Sequence, residues 1–210
     1  MALSWGLYNL LISTDVIVLK HFRSAEDVAH YYAGAKTVAL IAIIYFAVAA
    51  ATSHRLTAYA AADDRDGLTA FVASMVRWTF WPSFALGALL LAAGPVVLRL
   101  FGADFVTGYP VMAILICGHL VRASTGPAER ILSMLGQQRV CVFVYAAALV
   151  FNIAASVTLV PRYGGVGAAT ATASAFMVET ALLFWLANKR LGLHLFTWHS
   201  RSRDGFRKQN

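Results

Sequence analysis

Polar residues fall along this chain in short clusters, and the apolar runs between them can be read one by one. The last two runs are the cleanest. Val140–Val160 contains no charged residue, and Val166–Asn188 contains only Glu179. At 1.5 Å per residue, runs of about 21–23 residues match the ~30 Å of hydrocarbon in a bilayer. Only Pro161-Arg162-Tyr163-Gly164-Gly165 separates them, so the pair is predicted to be an antiparallel hairpin of spanning helices. The same style repeats upstream. Leu3–Leu19 predicts helix one, interrupted by Asn9, Ser13, Thr14 and Asp15, with a polar turn over Lys20–Asp27. Helix two is expected over Val28–Thr52, carrying Lys36 and continuing as a less apolar segment to Ala62. Beyond the hydrophilic loop Asp63–Gly67, helix three is expected over Thr69–Leu100, with kinks at Pro82 and Pro95. A turn at Gly102–Gly108 precedes helix four, Pro110–Gly136, which is broken by Gly126-Pro127. The predicted fold is therefore an all-α membrane protein. Six transmembrane helices form one bundle over residues 1–190, and a polar, basic tail follows over 191–210.

Composition agrees with this pattern. Hydrophobic residues make up 60% of the chain and charged residues 13%, against about 25% charged in a soluble domain. Cys117 and Cys141 both fall inside apolar runs, which predicts small buried side chains and neither a disulfide nor a metal site. The net charge of +7 comes from basic residues that flank the apolar runs. Topology control and contact with anionic lipid explain it, and nucleic-acid binding does not. The chain enters an apolar run at once, with no basic leader segment and no small-residue cleavage motif, so no cleaved signal peptide is expected.

With six spans both ends share one face of the membrane. That face collects Arg55, Arg65, Arg77, Arg122, Arg130, Arg139 and the six basic residues from Lys189 onward, twelve in all. The other collects Lys20, Arg23, Lys36, Arg99 and Arg162, five in all. The bias predicts that both termini are cytoplasmic. Trp78, Phe80 and Trp81 suit an aromatic belt near the cytoplasmic start of helix three.

At the hairpin the chain resembles a known family. Asn152 followed by Thr158-Leu159-Val160-Pro161-Arg162-Tyr163-Gly164-Gly165-Val166-Gly167-Ala168-Ala169-Thr170-Ala171-Thr172 is similar to the last two helices of bacterial polysaccharide flippases. Thr14–Leu19 with Ala33–Thr37 resembles the first two helices of the second half of those proteins, and Leu132–Arg139 resembles their loop before the hairpin. These proteins form the lipid-linked oligosaccharide branch of the multidrug/oligosaccharidyl-lipid/polysaccharide exporter superfamily. The resemblance covers nearly the whole chain, but only the C-terminal six helices of a family normally built from twelve or more. It implies one bundle of a MATE-like two-bundle transporter fold, completed by an N-terminal six-helix half or a second copy. The implied activity is the flipping of undecaprenyl-pyrophosphate-linked oligosaccharide across the bacterial inner membrane, for lipopolysaccharide or exopolysaccharide synthesis. The implied mechanism is alternating access. No cofactor is implied, and coupling to a Na+ or H+ gradient is the energy source left open.

Charge inside a spanning helix costs roughly 2.5–3.5 kcal/mol on insertion scales and so tends to face a cavity or a partner. Asp15 is either a cavity carboxylate coupled to cation movement or an interfacial carboxylate paired with Lys20 or Lys36. His119, Arg122 and Glu129 fall on one face of helix four, and Gly126-Pro127 opens backbone in the same stretch, as a cavity wall permits. Arg122 suits a pyrophosphate, because guanidinium matches phosphate with two parallel hydrogen bonds. Its alternative is a structural ion pair with Glu129 or Glu179. Glu179 shares a face with Thr172, seven residues earlier, and is expected to point at a lumen. Arg77, beside Trp78, is an interface anchor or a cavity-mouth residue. Gly167, Ala168, Ala169, Ala171, Ala173 and Ala175 predict close packing against helix five.

The remaining histidines, His21, His30, His54, His194 and His199, lack metal-ligand spacing, and no phosphate-binding Gly-rich loop with Lys is present. Three alternatives to the flippase remain: another exporter of the same superfamily, for drugs or for lipid II, an integral membrane enzyme of envelope polysaccharide synthesis, and an inert accessory fragment that only packs against other helices. The enzyme is disfavoured because the loops are short, and Asp64-Arg65-Asp66 lies in a charge-rich turn. The chain is expected not to be an enzyme.

Overall fold

In the computed structural model, residues 2–62 and 65–191 are described, except the side chains of 2, 57, 60, 61, 65, 66, 190 and 191. Asp63, Asp64 and the expected basic tail, apart from Leu191, lie outside them. Every element is helical, and no strand occurs among the described residues. In chain order these are α1 (Ala2–Phe22), α2 (Ala25–Ala61), α3 (Arg65–Arg99), a 3-10 turn (Ala103–Gly108), α4 (Tyr109–Ala123), α5 (Ala128–Met134) and α6 (Gln138–Leu191).

Among the described residues, four stretches are long and apolar enough to cross a membrane: Ala25–Leu56, Gly67–Arg99, Ala103–Met134 and Gln138–Lys189. The expected six separate spans are not shown, since the two arms of α6 fall within one stretch. Helix α1 has 21 residues and carries Asn9, Ser13, Thr14 and Asp15 within its apolar run. The last stretch contains the expected hairpin. Gly164, at φ 58° and ψ −132°, is non-helical within α6 and divides it into a first arm (138–163) and a second arm (165–191). The arms fold back on each other, since Asn152 bonds Thr172 and a Cβ on Gly167 would lie 2.5 Å from the Leu159 carbonyl oxygen. Only glycine permits that approach. Pro161 stays inside the helix, so the turn is tighter than the five-residue hinge expected. Arg23 caps it, donating to the carbonyls of Val160 (3.4 Å) and Pro161 (3.0 Å).

Local chemistry explains the other boundaries. Ser24 Oγ accepts the Asp27 backbone N–H at 3.2 Å, and Glu26 and Asp27 occupy the first turn of α2, where acidic groups favour a helix start. The helix then continues unbroken to Ala61. It overshoots the apolar run because Ser53-His54-Arg55 can sit in water without losing helical hydrogen bonds. Helix α3 runs through both Pro82 and Pro95. Pro95 has no N–H for the Leu91 carbonyl, and the Tyr109 hydroxyl donates to that carbonyl instead, at 3.0 Å. Helix four is broken where Gly126-Pro127 predicts: it stops at Ala123 and resumes at Ala128. Gly126 (φ 58°) and Pro127 force the break, and Thr125 Oγ1 caps the Arg122 carbonyl.

Hydrophobic packing falls into three clusters stacked along the bundle. One gathers Leu19, Tyr31, Leu98, Val111, Val160 and Ala168 near the hairpin turn. The second, at mid-height, joins Tyr8, Leu11, Tyr145, Ala148, Ala175 and Phe176. The third gathers Leu56, Leu68, Ile131, Cys141 and Leu183 at the opposite end. Thus α1, α3 and the first arm run toward the turn, while α2, α4 and the second arm run away from it. Small residues of the second arm serve two neighbours, not only the first arm as expected. A Cβ on Gly118 of α4 would lie 2.9 Å from the Ala173 Cα. Cys141 is buried, but Cys117 is exposed on α4, contrary to expectation, because α4 turns its Gly118 side inward.

Candidate functional site

Two polar layers are buried inside this apolar bundle, and the same three helical segments contribute to both. Tyr8 and Asp15 on α1, Tyr145 and Asn152 on the first arm, and Thr172 and Glu179 on the second arm are each separated by seven residues. Seven residues are two helical turns, so each pair shares a face and the layers lie about 10 Å apart.

The layer nearer the open ends of the hairpin is built on Arg122. The residue is only 6% exposed. Its Nε donates to Glu179 Oε1 at 3.1 Å, one terminal nitrogen donates to the Tyr8 hydroxyl at 2.8 Å, and the other donates to the Tyr145 hydroxyl at 3.4 Å. Aromatic rings cover the guanidinium: Tyr8, Tyr45 and Phe176 lie with centroids 4.5, 4.8 and 5.5 Å from Cζ. Glu179 is 1% exposed, and its Oε2 accepts no hydrogen bond of full geometry among the described residues, although Tyr145 stands beside the carboxylate. This is a fully desolvated, charge-assisted cluster tying α1, α4 and both arms together.

The second layer holds Asp15. Its Oδ2 accepts from the Tyr31 hydroxyl and from Thr172 Oγ1 (3.3 Å), and its Oδ1 accepts the Val16 backbone N–H (2.7 Å). Behind Thr172 the chain of polar groups continues: Asn152 Nδ2 donates to Thr172 Oγ1 at 3.3 Å, and Ser156 Oγ donates to Asn152 Oδ1 at 3.4 Å. No cation pairs with Asp15 among the described residues. Lys36 instead lies over the Tyr32 ring at 4.9 Å. Asp15 is thus buried, not interfacial, and neither Lys20 nor Lys36 is its partner.

The other expected site residues separate. Glu129 lies on α5, beyond the break that ends α4 at Ala123, and so not on one continuous helix with His119 and Arg122, although it stays within electrostatic reach of Arg122. It lines a cavity of about 400 Å³ together with Trp5, Tyr45, Phe46, Arg130 and Ser133. Tyr45 forms the shared wall, touching the cavity on one side and covering Arg122 on the other. His119 packs edge-on against Phe176, centroids 5.1 Å apart, next to the cluster but outside its hydrogen bonds. Arg77 is exposed on α3 beside Trp78, away from both layers. Arg122 itself meets Glu179, the structural alternative, and with all three nitrogens engaged it offers no open fork to a phosphate in this conformation. Sequence reasoning missed the tyrosines 8, 31, 45 and 145. A search for polar side chains repeating at seven residues within apolar runs would have found Tyr8 and Tyr145.

An all-helical apolar bundle with ion-paired and hydrogen-bonded charge at its centre has the character of a polytopic membrane protein. The family model MatE matches residues 1–158 of the 210, and the chain belongs to that family. It is a membrane exporter protein, and the family's members are transporters, not enzymes. No curated protein and no solved structure matches the chain.

Proposed function

We propose that the chain is one six-helix bundle of a two-bundle flippase that moves undecaprenyl-pyrophosphate-linked oligosaccharide across the bacterial inner membrane. The six traverses are α1, α2, α3, α4 with α5, and the two arms of α6; both termini face the cytoplasm. The opposite half is an N-terminal bundle or a second copy. The observation that carries the transport reading is the pair of buried polar layers. Intramembrane charge is retained where a pathway or a moving element needs it. The choice of a lipid-linked saccharide rests on the resemblance of Asn152–Thr172 and of Leu132–Arg139 to the polysaccharide flippases. Within this reading Glu129 and Arg130 face the substrate path through the 400 Å³ cavity, and Arg122 holds the bundle together beside it. Asp15 is the group through which a Na+ or H+ gradient would act.

A second reading is favoured by that same cavity. Trp5, Tyr45 and Phe46 around the Glu129 carboxylate suit an organic cation, as another exporter of the superfamily would require. Reconstitution separates the two. The chain, alone and with a complementary six-helix half, is placed in liposomes with a fluorescent undecaprenyl-linked saccharide or a fluorescent organic cation. Arrival of the saccharide in the opposite leaflet, slowed by Glu129→Gln, is the expected result. Transport of the cation alone favours the second reading, and no transport of either refutes both.

A further inference from the structure

A second, larger pocket of about 800 Å³ lies where the start of α6 meets the last turns of its second arm, and neither polar layer reaches it. Gln137, Gln138 and Arg139 form one wall; Phe143, Trp185 and Lys189 form much of the other. Among the described residues the lining offers two cations and two side-chain amides and contains no carboxylate. Lys189 Nζ stands 4.9 Å from the Trp185 ring centroid, which orients the ammonium against the pocket's aromatic wall. Trp185 is 54% exposed, and amphipathic rings of this kind collect where hydrocarbon meets headgroups. Arg139 and Lys189 lie at the two ends of the apolar stretch Gln138–Lys189, at the level where its span leaves the hydrocarbon.

From Phe143 an apolar stripe continues down the first arm. Phe143, Val150, Ile153 and Val157 are each at least two-fifths exposed, and their spacing of seven, three and four residues keeps them on one helix face. The stripe runs about 21 Å, comparable to an acyl chain. The geometry points to a binding site for a single anionic phospholipid of the bilayer, with its phosphate between Arg139 and Lys189 and a chain along the stripe. Charge complementarity chooses the occupant. A net negative headgroup keeps its attraction for both cations, whereas a zwitterionic one sets a second ammonium against Lys189.

Native mass spectrometry of the full chain in detergent, titrated with phosphatidylglycerol or phosphatidylcholine, tests this. Phosphatidylglycerol is expected to bind with one-to-one stoichiometry in preference to phosphatidylcholine. Arg139→Gln with Lys189→Gln is expected to weaken it about 30-fold, from the attraction typical of two cations at an anionic surface. Arg139→Lys is expected to retain binding, and size-exclusion profiles check that each variant stays folded. Equal binding of the two lipids overturns the proposal. So does an equal loss in Arg77→Gln with Arg99→Gln, two exposed cations elsewhere on the bundle, because the effect would then be diffuse charge. Displacement of phosphatidylglycerol by equimolar undecaprenyl pyrophosphate also overturns it, since the pocket would then belong to the transported lipid. The readout is binding, so failure of transport leaves it intact.

Discussion

Replacing Arg122 by alanine isolates what the buried cluster contributes. The substitution leaves the Glu179 carboxylate, 1% exposed, without a cation. It also removes the donors that serve the Tyr8 and Tyr145 hydroxyls, and it empties the volume between three aromatic rings. Removing one partner of a buried ion pair costs about 3–5 kcal/mol, because the remaining charge stays desolvated. For a chain of this size each kcal/mol lowers the melting temperature by about 2–4 °C. A fall of about 6–20 °C is therefore expected, read by thermal unfolding in detergent with thiol labelling of the buried Cys141 as the probe. Glu179→Ala is expected to fall comparably, since it strands the guanidinium. The double variant Arg122→Met with Glu179→Leu removes both charges and is expected to cost less than either single change, because apolar replacement of a whole buried pair is often near neutral. A parent-like melting temperature for Arg122→Ala refutes the structural role and returns Arg122 to the substrate path. A double-variant cost equal to the sum of the singles refutes the coupling.

Three further outcomes follow from the geometry. Gly118→Ala places a Cβ 2.9 Å from the Ala173 Cα, so α4 and the second arm must separate; a loss of about 1–3 kcal/mol is expected in the same melting assay. Gly164→Ala forces a side chain into φ 58°, ψ −132° and is expected to cost about 1–3 kcal/mol, while Arg23→Ala, which uncaps the same turn, costs less. Asp15→Asn keeps a hydrogen-bonding group for Tyr31 and Thr172, so the melting temperature should hold within a few degrees while gradient-driven transport in liposomes falls. Unchanged transport would remove Asp15 from the coupling role.

Much of the architecture was legible because in a membrane the solvent writes it into composition. Runs without charge must be helices with their backbone bonds closed internally, so the apolar stretches and the hairpin at Gly164 could be placed from the residues alone. The breaks were partly legible too: Gly126-Pro127 signalled an interruption, but not that α5 would set Glu129 into a separate cavity beside Tyr45. Helix ends were legible in part. Helix α2 runs on to Ala61, close to the expected Ala62. Helix α3 starts at Arg65, before the expected Thr69, because water tolerates polar residues in a helix as well as in a loop. The buried chemistry divided in the same way. Asp15, Arg122 and Glu179 stood out because charge is rare in such runs, and the seven-residue repeat that aligns Tyr8 with Asp15 and Thr172 with Glu179 is a property of the chain. Which charge meets which is not. Arg122 and Glu179 are 57 residues apart, and Asp15 and Thr172 are 157 apart. Only the packing of α1 and α4 against the hairpin could pair Arg122 with Glu179 and leave Asp15 to a tyrosine and a threonine, because that choice depends on how the helices are rotated and offset, which no local pattern encodes.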